Sequence, residues 1–204
     1  MSLKKINHSI RDPQGFVFEY EGEVYRCIRS KYSSFFNNLL DNLFIKKLNG
    51  NSLINTEKIY NSFYKISDEI SKNDIILKHK KLPIITKPYE WSFDQLKDAA
   101  IFHLNFEQGL LKNGLCLKDA SAYNVSFFNN QPVFIDFLSI NKYDEGSFWA
   151  GYKQFINQFL NPLLLKSLLN LNFHNFYKSD QDGFHTSDLS KLLKLKHYFS
   201  YNVF

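Results

Sequence analysis

The chain has 204 residues, of which 44% are hydrophobic and 22% charged, as in a soluble globular protein of one domain or two small lobes. Its net charge is +5, but three of its 25 basic residues are arginine, the residue that nucleic-acid binders favour. The lysines are spread along the chain, and no apolar run reaches the about 18 residues of a membrane helix. We therefore expect neither nucleic-acid binding nor a membrane span.

The two cysteines point to a reducing compartment. Cys27 and Cys116 are far apart in the sequence and form no CxxC pattern, so neither a zinc site nor a disulfide framework is predicted. Both lie in apolar, strand-like runs and are interpreted as buried thiols. The first residues contain no apolar signal region, and we expect a cytoplasmic protein.

The first elements in chain order are a hairpin and a helix. Two β-rich runs at 16–20 and 23–29 are separated by a glutamate and Gly22, which can adopt positive φ and so favours a tight hairpin turn. Residues 33–48 carry apolar side chains at helical spacing. The sequence NGN at 49–51 ends that helix.

The next segment is expected to be a helix, a loop and a strand. An amphipathic pattern predicts a second helix over 56–71. The basic run KHKK at 78–81 is interpreted as a solvated loop. The sequence KLPIITKPYEW at 81–91 predicts a strand that ends near Lys87, because Pro88 cannot donate to a sheet.

Helices dominate the second half. Ser92, with Gln95 three residues later, predicts a capped helix over 93–113 that ends at a glycine. His103 lies near the apolar face of that helix and is interpreted as a packed core residue. Another helix is expected to start near Ser147 and to break at Asn161-Pro162.

A strand, a loop and a hairpin are predicted between the two helices. Short apolar strands at 115–117, 125–128 and 132–136 are joined by a polar loop and by the turn NNQ, since asparagine tolerates left-handed conformations. Because the two ends of a hairpin lie close together, Asn124 and Asp136 should be neighbours. Asp119 lies in the loop beside them.

These three side chains suit a magnesium site. Mg²⁺ takes few protein oxygen ligands and fills its remaining positions with water and phosphate oxygens. The spacing D-x-x-x-x-N occurs three times in the chain, but only Asp119 and Asn124 are followed by another aspartate, Asp136, twelve residues later. The alternative is structural: Asp119 would cap backbone amides of its loop, and Asp136 would cap the segment after it.

The same residues resemble the catalytic loop and metal-binding aspartate of protein-kinase-like phosphotransferases. The resemblance implies that Asp119 is the catalytic base and that Asn124 and Asp136 bind Mg²⁺ beside ATP. It also implies an α+β, two-lobed kinase-like fold. A small strand-bearing N-lobe would span 1–91, and a mainly helical C-lobe would span 92–204.

The sequence departs from the kinase pattern at several positions. No glycine-rich loop of the G-x-G-x-x-G type exists, Leu117 replaces the usual histidine, and Leu138 follows where a glycine is usual. Arg26 or Arg29 is the best substitute for the lysine that contacts the nucleotide phosphates; Arg26 shares a strand face with core residues, and an edge-strand arginine in solvent is the alternative. Glu90 and Trp91 could contact adenine at the hinge, and packing explains these side chains equally well.

A second resemblance covers nearly the whole chain. The segments RDPQGFVFEYEGEVYR, PYEWSFDQLKDAA and LKDASAYNVSFFNNQPVFIDFLSI are similar to the N-terminal region of bacterial proteins described as SAM-dependent methyltransferases or nodulation-type proteins. It implies an alternative function, a non-catalytic, pseudokinase-like module that supports or regulates a methyltransferase domain in a longer or separate chain. No glycine-rich SAM loop is present, so the chain alone is not expected to transfer methyl groups.

Overall fold

The computed structural model describes residues 3–6, 12–179 and 182–194. The chain forms two compact units, 1–83 and 84–204. It contains a five-stranded antiparallel sheet and several helices, which confirms a mixed α/β protein. Within the described residues, no helix is both long and apolar enough to cross a bilayer.

The first unit is built on the five-stranded sheet. Its strands are β1 (Lys4–Lys5), β2 (Gly15–Tyr20), β3 (Glu23–Ile28), β4 (Thr56–Ile59) and β5 (Ile75–His79). They lie in the order β1-β2-β3-β5-β4 and all neighbours are antiparallel. The predicted hairpin is confirmed, with Glu21 and Gly22 at positive φ in its turn. Phenylalanines of β2 and the loops, with Cys27 and Ile76, form a buried aromatic core.

The predicted helix over 33–48 is two helices. Helix α1 (Ser33–Asp41) ends where Asn42 adopts an extended conformation, and α2 (Leu43–Leu48) begins directly after it. The Asn42 side chain accepts hydrogen bonds from the amides of Phe44 and Ile45. Asparagine competes in this way with a continuing helix, because it satisfies the first amides of a new one.

The helix predicted over 56–71 is wrong, and the solvated loop predicted at 78–81 is confirmed only for Lys80 and Lys81, which are exposed and lie outside any strand. Residues 56–59 form β4, which pairs with β5, and Lys78 and His79 belong to β5 itself. The side-chain amide of Asn61 donates to the carbonyls of Ser71 (2.9 Å) and Asp74 (3.0 Å), which holds the intervening segment as a loop. Sheet pairing and the two hydrogen bonds of the Asn61 side chain therefore outweigh the helical spacing of the apolar residues.

The strand predicted over 81–91 is also absent. Pro88–Glu90 form a single 3₁₀ turn, and the preceding residues have no regular structure. The Thr86 amide donates to the Ser126 hydroxyl at 3.1 Å instead of to a strand. Two prolines in eight residues, at positions 81–88 of the sequence, remove the donors that a strand needs.

The second unit surrounds one long helix, α3 (Phe93–Leu111). Ser92 and Gln95 form the predicted capping box, which is confirmed. The other elements are β6 (Leu115–Leu117), β7 (Val125–Phe128), β8 (Gln131–Phe134), β9 (Ile140–Lys142), α4 (Tyr152–Phe155), a π-helical turn (Ile156–Leu160), α5 (Asn161–Leu169), α6 (His174–Ser179) and α7 (Thr186–Leu192). Strand β6 pairs with β9, and β7 pairs with β8.

The two cysteines differ in burial. Cys27 is buried, as expected, and Cys116 is partly exposed, contrary to expectation. Alternate residues of a strand face opposite sides, and Leu115 and Leu117 occupy the buried side of β6.

Asn161-Pro162 does not break the fourth helix. Helices α4 and α5 join through the π-helical turn, and Pro162 stands in the first turn of α5. A proline cannot donate to the carbonyl four residues earlier, here that of Gln158. The Tyr177 hydroxyl donates to this carbonyl instead. A side chain thus replaces the missing backbone donor, and the helix continues.

His103 is a core residue, as expected. It is fully buried in α3 and lies among four aromatic rings, those of Phe134, Trp149, Phe155 and Phe159, at centroid distances of 5.4–6.0 Å. Within the described structure, neither ring nitrogen has a hydrogen-bond partner. Burial lowers the pKa of His103 to about 4, so the imidazole is neutral at physiological pH.

Candidate functional site

The loop that carries Asp119 and Asn124 links β6 to β7. The Lys118 amide donates to the Ser139 carbonyl at 2.9 Å, which ties the start of the loop to the segment before β9. At the other end, the Ile135 amide donates to the Asn124 carbonyl at 2.8 Å. Backbone bonds therefore bring the loop next to the chain that leaves the β7–β8 hairpin.

Asn124 and Asp136 are linked through one hydroxyl. The Ser139 Oγ donates to Asp136 Oδ2 at 2.5 Å and accepts from Asn124 Nδ2 at 3.2 Å. The predicted proximity of the hairpin ends is therefore present in the structure. Among the described residues, no three acidic, histidine or cysteine side chains form a metal cluster, so a cation held by Asn124 and Asp136 would have one carboxylate and one amide as protein ligands.

Asp119 lies close to both predicted ligands. Its pKa is raised mainly by burial, and the charge of Asp136 raises it further, whereas hydrogen bonds from the Ser121 amide and the side chains of Gln154 and Asn124 lower it. Its Oδ1 accepts from the Ser121 amide at 2.8 Å, so the capping role expected as an alternative is also present. Two carboxylates in one partly desolvated place favour the binding of a cation.

Two glutamines of the α4–π segment hold the loop. Gln154 Oε1 accepts from the Ala120 amide at 2.8 Å. Gln158 Oε1 accepts from the Ala122 amide at 2.7 Å and from the Ser121 hydroxyl at 3.0 Å. Residues four apart share one helix face, so both glutamines reach the same loop. Their spacing was visible in the sequence, but nothing there linked them to a loop more than 30 residues earlier.

A second pair of side chains fixes the strand before the loop. Glu107 Oε2 accepts from the Leu117 amide at 2.8 Å, and the Trp149 indole donates to the Leu117 carbonyl at 3.0 Å. The other carboxylate oxygen of Glu107 is buried and has no partner among the described residues. Burial raises the pKa of Glu107 to about 7, and the Leu117 hydrogen bond opposes this shift.

The buried Glu107 carboxyl should make stability depend on pH. Because its pKa is higher when folded, the folded state binds more protons between about pH 4.5 and pH 7, and the free energy of unfolding should fall as pH rises through this window. The Glu107→Gln variant should lose this dependence, which we expect to amount to about 2 kcal/mol. Urea unfolding at about pH 5 and about pH 8 measures it.

The exposed residue Glu145 offers a matched control, since Glu145→Gln makes the same chemical change at the surface. That variant should keep the wild-type pH dependence. An identical pH dependence in wild type and Glu107→Gln would show that burial of this carboxyl does not affect folding.

Arg26 lies on a central strand rather than at an edge. Its strand, β3, pairs with β2 on one side and β5 on the other, and the residue is 7% exposed. The alternative of an edge-strand arginine in solvent is therefore wrong. Arg26 Nε lies 3.3 Å from His79 Nε2, and His79 Nδ1 lies 2.8 Å from the Thr56 hydroxyl. Burial, and to a lesser extent the Arg26 charge, lowers the pKa of His79 to about 3, so neutral His79 accepts from Arg26.

Glu90 and Trp91 have structural roles in the second unit. Glu90 Oε2 accepts from the Lys87 amide at 2.7 Å at the 3₁₀ turn. Trp91 is 1% exposed, its indole donates to the Thr86 hydroxyl at 3.0 Å, and its ring packs edge-on against Phe127. These contacts agree with the packing alternative. A nucleotide contact by either residue stays a prediction.

The chain is related in sequence to a nodulation protein. No protein-family model matches it. It is similar to the nodulation protein NoeA of Rhizobium meliloti (strain 1021), with 38% identity over 201 residues. The match covers 98% of this chain and 41% of that protein, so the chain spans less than half of the relative's length. The expected relation to nodulation-type proteins is thereby confirmed at the level of sequence.

Proposed function

We propose that the chain is an atypical protein-kinase-like unit that binds Mg²⁺ and a nucleotide. The observation that carries the proposal is the convergence of three side chains, Asp119, Asn124 and Asp136, which are also the three that the kinase-like spacing selects. A role in turns alone would not require Asn124 and Asp136 to share the Ser139 hydroxyl. Nor would it require Asp119 to lie beside them.

The order and pairing of the strands support a kinase-like fold. A five-stranded antiparallel sheet has two helices inserted between β3 and β4. It is followed by a long helix, the β6–β9 pair and the β7–β8 hairpin. Asp119 and Asn124 lie in the loop between β6 and β7, and Asp136 follows β8, in the order that the resemblance to phosphotransferases implies.

The donor set fits Mg²⁺. Carboxylate and amide oxygens are the ligands that this ion prefers, and it needs few of them from the protein. Asn124 and Asp136 would hold the ion, and Asp119 would accept the proton of an acceptor hydroxyl. When bound, Mg²⁺ would neutralise charge on the phosphate oxygens of ATP. In this proposal two of the side chains bind the metal ion, and the third orients and deprotonates the acceptor hydroxyl.

Thermal unfolding with ATP and MgCl₂ tests this function. A ligand at 100 times its dissociation constant stabilises the folded state by about 2.7 kcal/mol, a rise in Tm of about 5–10 °C. Asp136→Ala should lose this rise. The ligand-induced change in Tm is compared, rather than Tm itself, because Asp136 also accepts a hydrogen bond from Ser139.

Asp98→Ala is the control, because Asp98 is an exposed aspartate of α3. It should keep the full rise in Tm. If ATP and MgCl₂ leave the wild-type Tm unchanged, nucleotide binding is excluded and the scaffold function described next is favoured.

The second candidate function is a non-catalytic module that supports a methyltransferase. Three features favour it over catalysis: Leu117 and Leu138 replace residues that active kinases use, and the Arg26 guanidinium is engaged by buried His79. The matched region is also less than half of NoeA. ATP turnover separates the two functions. If ATP stabilises the wild-type protein but is hydrolysed no faster than by the Asp119→Ala variant, the chain is a binding module and not an enzyme.

A further inference from the structure

A buried hydroxyl joins the two proposed metal ligands. Ser139 is 0% exposed, and its Oγ contacts Asp136 Oδ2 at 2.5 Å and Asn124 Nδ2 at 3.2 Å. We propose that Ser139 is a positioning residue that sets the cation selectivity of this site, so that Mg²⁺ is preferred to Ca²⁺. The inference rests on the proposed function, because it concerns the same cation site.

The single hydroxyl proton contributes to the orientation of the Asn124 side chain. A serine hydroxyl has one proton, and an ionised carboxylate can only accept. The Ser139 proton is therefore directed to Asp136, and Ser139 must accept from its other neighbour. The Asn124 amide consequently turns its NH₂ group to Ser139, and its carbonyl oxygen faces away from the hydroxyl. The Asn124 side chain also hydrogen-bonds the Asp119 carboxylate, which can only accept, so the NH₂ group faces both partners.

The same hydroxyl restrains the Asp136 carboxylate. Oδ2 accepts a short hydrogen bond from the Ser139 hydroxyl. Ca²⁺ takes six to eight oxygen ligands and often binds both oxygens of one carboxylate, whereas Mg²⁺ takes one oxygen from each of a few ligands. A carboxylate with one oxygen engaged therefore favours the smaller ion.

Backbone contacts hold Ser139 in this place. Its amide donates to the Asp136 carbonyl at 3.2 Å, and its carbonyl accepts from the Lys118 amide at 2.9 Å. Both ends of the residue are thus tied, one to the ligand segment and one to the loop that carries Asn124. These bonds hold the Ser139 backbone beside both ligands.

The experiment titrates the purified chain with MgCl₂ or CaCl₂, with and without ATP, and records the metal concentration at half of the maximal change in Tm. Outer contacts of metal ligands commonly change affinity by about 10–100-fold. In Ser139→Ala, we expect the preference for Mg²⁺ over Ca²⁺ to fall by about tenfold or more. Ser139→Thr, which keeps the hydroxyl, should retain the wild-type preference.

Ser126→Ala is the matched control. Ser126 is also 0% exposed, and its hydroxyl accepts from the Thr86 amide rather than from a proposed ligand. It should lose stability without a change in the Mg²⁺ to Ca²⁺ ratio. Equal ratios in wild type and Ser139→Ala, or an equal change in Ser126→Ala, would overturn the role of Ser139 and leave the cation site standing. If neither cation changes the wild-type Tm under any condition, the proposed cation site and the role of Ser139 both fail.

Discussion

Replacing Gln158 by methionine should lower the free energy of unfolding by about 2–5 kcal/mol. Methionine keeps the length of the side chain but cannot accept the hydrogen bonds from the Ala122 amide and the Ser121 hydroxyl. Gln158 is 1% exposed, so water cannot replace the lost acceptor. Each buried donor left without a partner costs about 1–3 kcal/mol. Urea unfolding, followed by circular dichroism, measures the change.

An exposed glutamine provides the comparison. Gln108 lies on the outer face of α3, and Gln108→Met should change the free energy of unfolding by no more than about 0.5 kcal/mol. A Gln158→Met variant as stable as Gln108→Met would mean that the loop amides find other acceptors. The loop would then not depend on the π-helical turn.

The second large effect concerns His103 and acid. The folded-state pKa of His103 is about 4, against an ordinary value of 6.5. Between these values the unfolded state binds the proton and the folded state does not, so stability falls as pH decreases from 6.5 to 4. This group alone should remove about 3 kcal/mol over that window. His103→Leu, which is close in volume and cannot be protonated, should not show this loss.

The difference between wild type and His103→Leu isolates the effect. Other groups that titrate in this range, including His79, are present in both proteins and cancel. At about pH 8 the imidazole is neutral in both states, so His103→Leu should there be at least as stable as wild type, because no unpartnered ring nitrogens remain in the core. Parallel acid unfolding curves for the two proteins would contradict the buried, neutral histidine.

Local signals in the sequence predicted the elements that local contacts fix. The hairpin turn at Gly22 and the capping box of Ser92 and Gln95 each involve residues within four positions of one another, and both are confirmed. The hairpin of β7 and β8 is of the same kind, with Asn129 and Asn130 at positive φ in its turn. Turn and capping contacts between residues close in sequence restrict the backbone to few conformations.

Predictions from sequence patterns were wrong where contacts between distant residues determine the secondary structure. The range 56–71 has helical spacing of apolar side chains, yet its first four residues pair with β5, about 20 positions later. The helix break predicted at Pro162 fails because the Tyr177 hydroxyl satisfies the carbonyl that proline leaves without a donor. No local pattern contains the partner in either case.

The candidate site shows the same division. Asp119, Asn124 and Asp136 were predicted from spacing, because a hairpin brings its ends together regardless of what surrounds it. Ser139, three residues after Asp136, is the residue that joins two of them and was missed. A serine in that position carries no signal by itself, since its role depends on the two side chains that it contacts.

The contacts of the π-helical turn determine when the loop can form. The Tyr123 hydroxyl donates to the Tyr177 carbonyl, 54 positions later, and Tyr177 in turn supports the Gln158 carbonyl. During synthesis, the segment from Asp119 to Asn124 emerges long before the residues that hold it. Contacts of such separation form late because a long loop must close first. The candidate site is therefore expected to be among the last parts of the chain to acquire its native geometry.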